Sequence, residues 1–294
     1  MTMENSLAIL ENLHALPERI DALQAALLTQ EQAECPVIHR FGPGLYIREV
    51  QIPAGVIAIG HIQRQAHLNV LLQGKVTIVR DDGMLETLTA PMVFVGKPGR
   101  KVGYVWETTV WQNIYATDET DVEKLEEMYL EKTEGWHEHI ETEKLLSLPA
   151  LEDQDDYRAV LKECGITQAE VEEDMRTVEV IPLPHGSYKV KLGESLIHGK
   201  GLMATAEIAA GEFIAPMRIG RQKTIAGRFT NHAKQPNARP ERVGNEVWLV
   251  AVRPISGCKG GHDGEEITID YREALKLALQ LNEEQGLCPE SQPQ

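Results

Sequence analysis

The chain has 294 residues, of which 42% are hydrophobic and 25% charged, enough to bury one or two real cores and in line with an ordinary globular protein. No apolar run approaches the ~20 residues that span a bilayer, no basic and apolar leader opens the chain, and four scattered cysteines (Cys35, Cys164, Cys258, Cys288) predict neither a disulfide framework nor a zinc knuckle. Net charge is −16, and residues 116 to 177 supply most of it with 20 Asp/Glu against 6 Lys/Arg, so a phosphate backbone would be repelled and nucleic acid is excluded as a primary partner. A reducing, cytoplasmic setting with no membrane partner is expected.

Residues 4 to 31 read as helix, because Ile9, Leu13, Leu16, Ile20, Leu23 and Leu27 recur at spacings of three and four. Pro17 lies inside the pattern and predicts a break after Leu16, with a second piece starting at the proline. The apolar strip fits either homo-oligomerisation through the N-terminal helix or a helical pair packed on the domain that follows. From Cys35 to about Tyr115 the text changes to short β-type runs: Leu45 to Ile52, Val56 to Ile62, Leu68 to Leu72, Lys75 to Arg80, Leu85 to Ala90, Met92 to Val95, Val102 to Val105 and Thr108 to Ile114. The Asp82-Gly83 turn and the even spacing predict a sandwich or small barrel. Helix returns at Asp121 to Glu134, with Val122, Leu125, Met128 and Tyr129 on one face, and again at Asp155 to Met175, hinged at Cys164-Gly165. This acidic stretch reads as a solvated connector or as a lure for a basic protein substrate. Beyond Val178 the chain is β-rich to about Tyr271, where a closing helix runs to about Gln285.

The segment Gly60-His61-Ile62-Gln63-Arg64-Gln65-Ala66-His67, with Gly74 seven residues on, resembles the first motif of cupins. In that family two histidines, a glutamate and a glycine line a jelly-roll interior around a divalent metal. Here His61 matches the first histidine, Gln63 replaces the second, and His67 stands where the glutamate would be. Pro98-Gly99 offers the turn of the second motif, but Val102 stands where its histidine would follow. Two imidazoles and an amide are a poor donor set, so the expectation is a metal-free, structural cupin-like fold with His61 and His67 hydrogen-bonded at the barrel mouth. The segment is similar to cupin-like proteins of tailed bacteriophages.

Three further motifs follow in order: His198-Gly199-Lys200-Gly201-Leu202-Met203-Ala204 with the strand ending at Ile214; Arg228-Phe229-Thr230-Asn231-His232 with Pro236-Asn237; and Gly264-Glu265-Glu266-Ile267-Thr268-Ile269-Asp270-Tyr271. Together they resemble the motifs of SET-domain protein-lysine methyltransferases. The resemblance implies S-adenosylmethionine as cofactor, bound by Gly199, Lys200, Gly201, Leu202, Arg228, Asn231 and His232, with Tyr271 catalytic. Phe229 and Trp248 are candidate aromatic walls for a lysine channel. The chain departs from the family pattern in four ways. Ala233-Lys234 stands where Ser-Cys usually follows Asn-His. Only Ala215 to Gly227 occupies the interval that usually holds an inserted subdomain; no cysteine-rich zinc segment follows Tyr271; and Ser256 to Asp263 is an extra Gly-rich loop.

The resulting expectation is a mainly β protein with helical segments, in which an N-terminal cupin-like jelly roll precedes a C-terminal minimal SET (β-clip) domain. The divisions are a helical oligomerisation segment at 1–34, the cupin-like domain at 35–120, an acidic helical connector at 121–177, the SET domain at 178–275, and a C-terminal helix and tail at 276–294. The function implied is protein-lysine N-methylation by a phage-encoded enzyme acting on a protein substrate in the bacterial host cytoplasm. The alternatives are a non-enzymatic interaction or virion-associated protein using both folds as scaffold and, more remotely, a metal-dependent cupin enzyme.

Overall fold

A computed structural model describes residues 3–146 and 151–284. The expected helix boundary falls early: one helix spans Met3–Leu13, His14 and Ala15 adopt positive φ, and the second helix starts with Pro17 at its first turn and runs to Leu28. Both helices lie on the chain's own β domain. Leu10, Leu13 and Ile20 are buried in one cluster with Val79, Val102 and Tyr104, and Leu7 and Leu23 pack at its edge. Leu10, outside the predicted strip, is the most deeply buried of these helix residues, whereas Leu16 is 44% exposed. The helical pair is thus engaged intramolecularly, and what remains of the strip for another subunit is half-buried Ile9 and Leu27 and exposed Leu16.

The chain is mainly β with helical segments. Its N-terminal half contributes seven strands of an eight-stranded antiparallel sheet built on two long strands, His67–Val79 and Val102–Ala116. Each of these absorbs two of the runs expected separately. Gly74 makes the first merger possible: its φ of +94° and a contact of 2.6 Å between a built Cβ and the Thr108 carbonyl leave room only for glycine, and the ladder is irregular on both sides of it. The strand Val37–Gly42, absent from the sequence reading, pairs with Leu45–Ile52.

The C-terminal half carries a five-stranded sheet centred on Phe213–Ile219 and Glu246–Ala251, and a four-stranded sheet in which Glu266–Ile269 lies between Lys200–Ala204 and Asn231–His232. The two halves share structure. Gly186–Tyr188 adds an edge strand to the first sheet, with His39 opposite Tyr188. One buried cluster runs from Phe41, Tyr46 and Tyr115 through Leu125, Tyr129 and Tyr188 to Leu202, Leu249 and Ile267.

The acidic middle is more than a solvated connector. Its first helix, Val122–Tyr129, is capped by Asp121 and buries Val122, Leu125 and Tyr129, while Met128 faces solvent. Helices Glu134–Leu146, Leu151–Cys164 and Gln168–Thr177 follow, the last opened by a reciprocal Thr167/Glu170 capping box. The closing helix spans Tyr271–Glu284; the expected end at Gln285 and the tail to 294 lie outside the described residues. No helix among the described residues is long and apolar enough to cross a membrane.

Candidate functional site

The strand Glu266–Ile269 gathers the three C-terminal motifs. Leu202 stands opposite Ile267 on one side, and Asn231 and His232 stand opposite Thr268 and Ile269 on the other. Tyr271 follows at the first position of the closing helix. Residues separated by 70 positions in sequence are therefore neighbours.

Asn231 is buried, and its amide donates to Ser195 Oγ (3.0 Å), the carbonyls of His198 (3.2 Å) and Lys200 (3.1 Å), and Glu266 Oε1 (2.7 Å). Ser195 Oγ in turn donates to Glu266 and accepts from the amides of Ile197 and His198. Asn231, Ser195 and Glu266 thus fix the loop carrying Gly199. Burial pushes the Glu266 carboxyl up, against the hydrogen bonds from Asn231 and Ser195. A Cβ at Gly201 would lie 2.3 Å from Glu266 Oε1, so a side chain there would displace the carboxylate. At Gly199 the same atom would meet nothing within 4 Å.

His232 is 2% exposed, and both of its ring nitrogens are engaged. Nδ1 accepts from the Tyr271 amide (3.3 Å), which assigns the proton to Nε2, the atom 3.1 Å from Asp156 Oδ2. The Tyr271 hydroxyl donates to the Thr230 carbonyl (3.1 Å), and burial raises its pKa, so it remains a donor at neutral pH. Arg228 lies on the short helix Ile225–Phe229 and donates to the Val178 carbonyl, tying this segment to the start of the C-terminal half. Lys200 pairs with Glu123 at 2.5 Å.

The acidic helix Leu151–Cys164 lies across this cluster. Arg272 grips Asp156 with both terminal nitrogens (2.9 and 3.2 Å) and Glu163 through Nε (2.7 Å), holding both carboxyls below the usual carboxylate range. Asp153 accepts from the Lys234 amide (2.8 Å), and the Tyr157 ring meets Tyr271 edge-on at 6.0 Å. Tyr157 is thus the aromatic neighbour of Tyr271. Trp248, one of the expected walls, instead meets Phe213 edge-on at 6.0 Å, and Phe229 packs against the shared core. The sequence signal for Tyr157 was only an aromatic residue in an acidic helix, which does not specify where that helix docks.

Tested against S-adenosylmethionine, the residues fit a ligand held through the main chain. Gly199 faces open space on a loop braced from behind, and the protonated Tyr271 hydroxyl is held on the Thr230 carbonyl. The side-chain polar atoms of Asn231 and His232 are already engaged, so these two residues position the loop and the helix start.

The expected barrel-mouth residues occupy the other half. Gln63 accepts from the Tyr115 hydroxyl (2.7 Å), His67 Nδ1 donates to the Gln65 carbonyl (3.0 Å), and His61 meets Trp136 edge-on at 5.1 Å. All three line a cavity of about 440 Å³. Among the described residues, no group of three or more His, Cys, Asp or Glu side chains is placed to hold a metal ion.

No protein-family model matches the chain, and no curated protein matches it. Solved structures similar to part of it include cupins. A cupin-2 domain protein from Shewanella frigidimarina shares 12% identity and covers 32% of this chain and 91% of its own (TM-score 0.24). A cupin superfamily protein from Desulfitobacterium hafniense shares 15%, covering 32% and 87% (TM-score 0.24). An RmlC-like cupin with a double-stranded β-helix fold from Methanocaldococcus jannaschii shares 12%, covering 33% and 90% (TM-score 0.25). Similarities at this level say nothing about activity, and the antiparallel sheet of the N-terminal half is defined by its own strand pairing.

Proposed function

We propose that the C-terminal half is a minimal SET-like domain and that the protein is an S-adenosylmethionine-dependent protein-lysine methyltransferase of the kind tailed bacteriophages encode, acting in the host cytoplasm. The observation that carries this reading is the convergence of the Gly199–Leu202, Asn231-His232 and Glu266–Tyr271 motifs on one strand, with Tyr271 at their junction. S-adenosylmethionine, when bound, supplies a methyl group on a cationic sulfonium. Lysine must attack as a neutral amine, although its ordinary pKa is near 10.4. The site's contribution is therefore desolvation and alignment: Tyr157 and Tyr271 form apolar walls, and the Tyr271 hydroxyl and Thr230 carbonyl orient the reacting groups. On this reading the helix Leu151–Cys164, which brings Asp156 to His232 and Tyr157 to Tyr271, serves to close the channel in a chain that lacks the inserted and zinc segments.

The rival reading, a non-enzymatic interaction or virion-associated protein, draws support from a specific feature: the polar side chains of the motif are satisfied within the chain, as in a structural core. Calorimetric titration of the full chain with S-adenosylmethionine and its demethylated product separates the two. Micromolar binding, followed by transfer of a labelled methyl group to lysine in host or virion proteins, is expected; no heat and no melting shift at excess cofactor would leave the scaffold reading.

A further inference from the structure

The cavity of about 440 Å³ in the N-terminal half has the size of a small-molecule site, and none of the residues of Tyr271's motif lines it. Across the sheet, directly opposed residues form a polar row: His39 faces Arg48, Arg48 faces Asn113, and Asn113 faces Asn69. Three of its members are already satisfied in part. His39 bonds the Tyr46 hydroxyl (2.8 Å), and Asn69 Oδ1 accepts from Asn113 (2.8 Å) and Trp111 (2.8 Å). Arg48 is the exception. Its guanidinium lines the cavity, makes no hydrogen bond or ion pair among the described residues, and has its Nε buried without a partner.

Arg48 is half-buried, and a buried N–H of a cation that has neither a hydrogen-bond partner nor a counter-charge is disfavoured. The carboxylates nearest in effect do not provide one. Glu126 is bound by Lys132 (2.8 Å) and Lys191 (3.4 Å), and Asp263 by Lys191 (2.8 Å). These two carboxylates and two ammonium groups balance, which leaves Arg48 as a net positive charge facing the cavity. Of the other polar residues lining the cavity, Glu31 is an exposed carboxylate that makes no ion pair with Arg48; burial, then the charges of Arg48 and Lys132, push the His61 imidazole down to about 3, so it is neutral at pH 7; and Gln63 is committed to Tyr115. The remaining wall is largely apolar, with Val50, Ile52, Val76, Val102 and Trp111 around the polar row.

We propose that this cavity binds a small organic monocarboxylate, its carboxylate paired with the fork of Arg48 and its apolar body against the Val76 and Trp111 side of the wall. A guanidinium meets a carboxylate through two parallel hydrogen bonds; Lys101 and Glu31 also line the cavity and offset each other, so the net single positive charge contributed by Arg48 suits a monoanion better than a phosphate dianion. The site is roofed by parts distant in sequence: Trp136 from the acidic segment and Gly260-Gly261 from the extra Gly-rich loop both line it. That loop packs so closely that a Cβ on Gly260 would lie 2.3 Å from Gln32 Oε1. This accounts for the glycines there without reference to methyl transfer, and the inference does not depend on the function proposed above.

The experiment titrates the full-length protein with acetate, butyrate and benzoate, with benzamide as the uncharged match and inorganic phosphate as the second anion, reading heat and melting temperature. Butyrate or benzoate is expected to bind and to raise the melting temperature, benzamide and phosphate to do neither, and Arg48→Met to weaken carboxylate binding by roughly tenfold or more, the loss expected for a charge-assisted pair. Arg48→Lys, which retains the charge and loses the fork, is expected to fall between. Benzamide binding as well as benzoate, phosphate binding in preference to the carboxylates, or no carboxylate binding would each overturn the proposal. Wild-type affinity in Arg48→Met would do so too. Should Arg48→Met fail to fold, the benzoate and benzamide comparison on the wild-type chain decides alone.

Discussion

Tyr271, at the start of the closing helix, and Asn231, opposite Thr268 on the neighbouring strand, do different work. Tyr271→Phe removes one hydroxyl whose partner is the Thr230 carbonyl, so the fold and cofactor binding should persist while methyl transfer falls, at least 10-fold on the proposed reading (roughly the effect of one well-placed hydrogen bond at a reacting centre). A steady-state assay with labelled donor reads this directly, and an unchanged rate removes Tyr271 from catalysis. Asn231→Ala removes an amide nitrogen whose two N–H groups are shared among four acceptors, leaving Glu266 with Ser195 as its side-chain donor and the His198 and Lys200 carbonyls without that amide. It should lower stability by about 1–3 kcal/mol in denaturant melts and weaken cofactor binding by releasing the loop. A third residue gives a pH signature. Burial, with Arg48 adding to it, pushes His39 down to about 3 from an ordinary value of 6.5. The unfolded chain then binds the proton first, so stability present above pH 6.5 is lost as pH falls toward 3. Melting temperature should already decline between pH 6.5 and 5, before most carboxylates titrate, and His39→Gln should flatten that slope.

At the scale of elements, two helical pieces have acquired roles through what they touch. The helix Leu151–Cys164 is clamped by Arg272 through Asp156 and Glu163, and Arg272→Met removes both pairs together. Hydrogen exchange should then quicken in residues 155–164 and stay unchanged in the strands 200–204 and 266–269; equal protection would mean that Asp153 and Tyr157 alone hold the helix. The N-terminal pair is anchored by Leu10, which is fully buried against the β domain. Leu10→Ala should cost about 2–5 kcal/mol of stability, the range for a buried leucine leaving a cavity, whereas Leu16→Ala, at an exposed position, should cost little. The helical strip was legible from its spacing. Its partner was not, because periodicity gives the angular position of an apolar face but carries no information on which surface will cover it.

The whole molecule behaves as one unit in its packing. The strand Gly186–Tyr188 completes an edge of the N-terminal sheet, Thr205 bonds the Val37 carbonyl (2.7 Å), and the core is continuous from Phe41 to Ile267. A chain ending at residue 177 would expose the Val37–Gly42 edge and lose Tyr188 and Leu183 from the core; it should aggregate or remain partly folded by circular dichroism and gel filtration. The full chain should melt in a single calorimetric transition.

The sequence by itself determined the β-rich texture, the helix break near Pro17, the hinge at Gly165, the closing helix from Tyr271 and the three C-terminal motifs. These features depend on local stereochemistry and short-range periodicity, which neighbours in the chain are sufficient to express. Merging the runs at 68–72 and 75–80 into one strand required knowing that Gly74 lies against Thr109 on another strand. The tertiary structure alone decided that Asn231 braces the Gly199 loop, that Tyr157 comes to Tyr271 on an acidic helix, and that Arg48 faces a cavity without an ion-pair partner among the described residues. Each of these depends on contacts between residues tens to more than a hundred positions apart, and the energy of such a contact is set by burial and by the partners that surround it, neither of which is written in the residue's own neighbourhood.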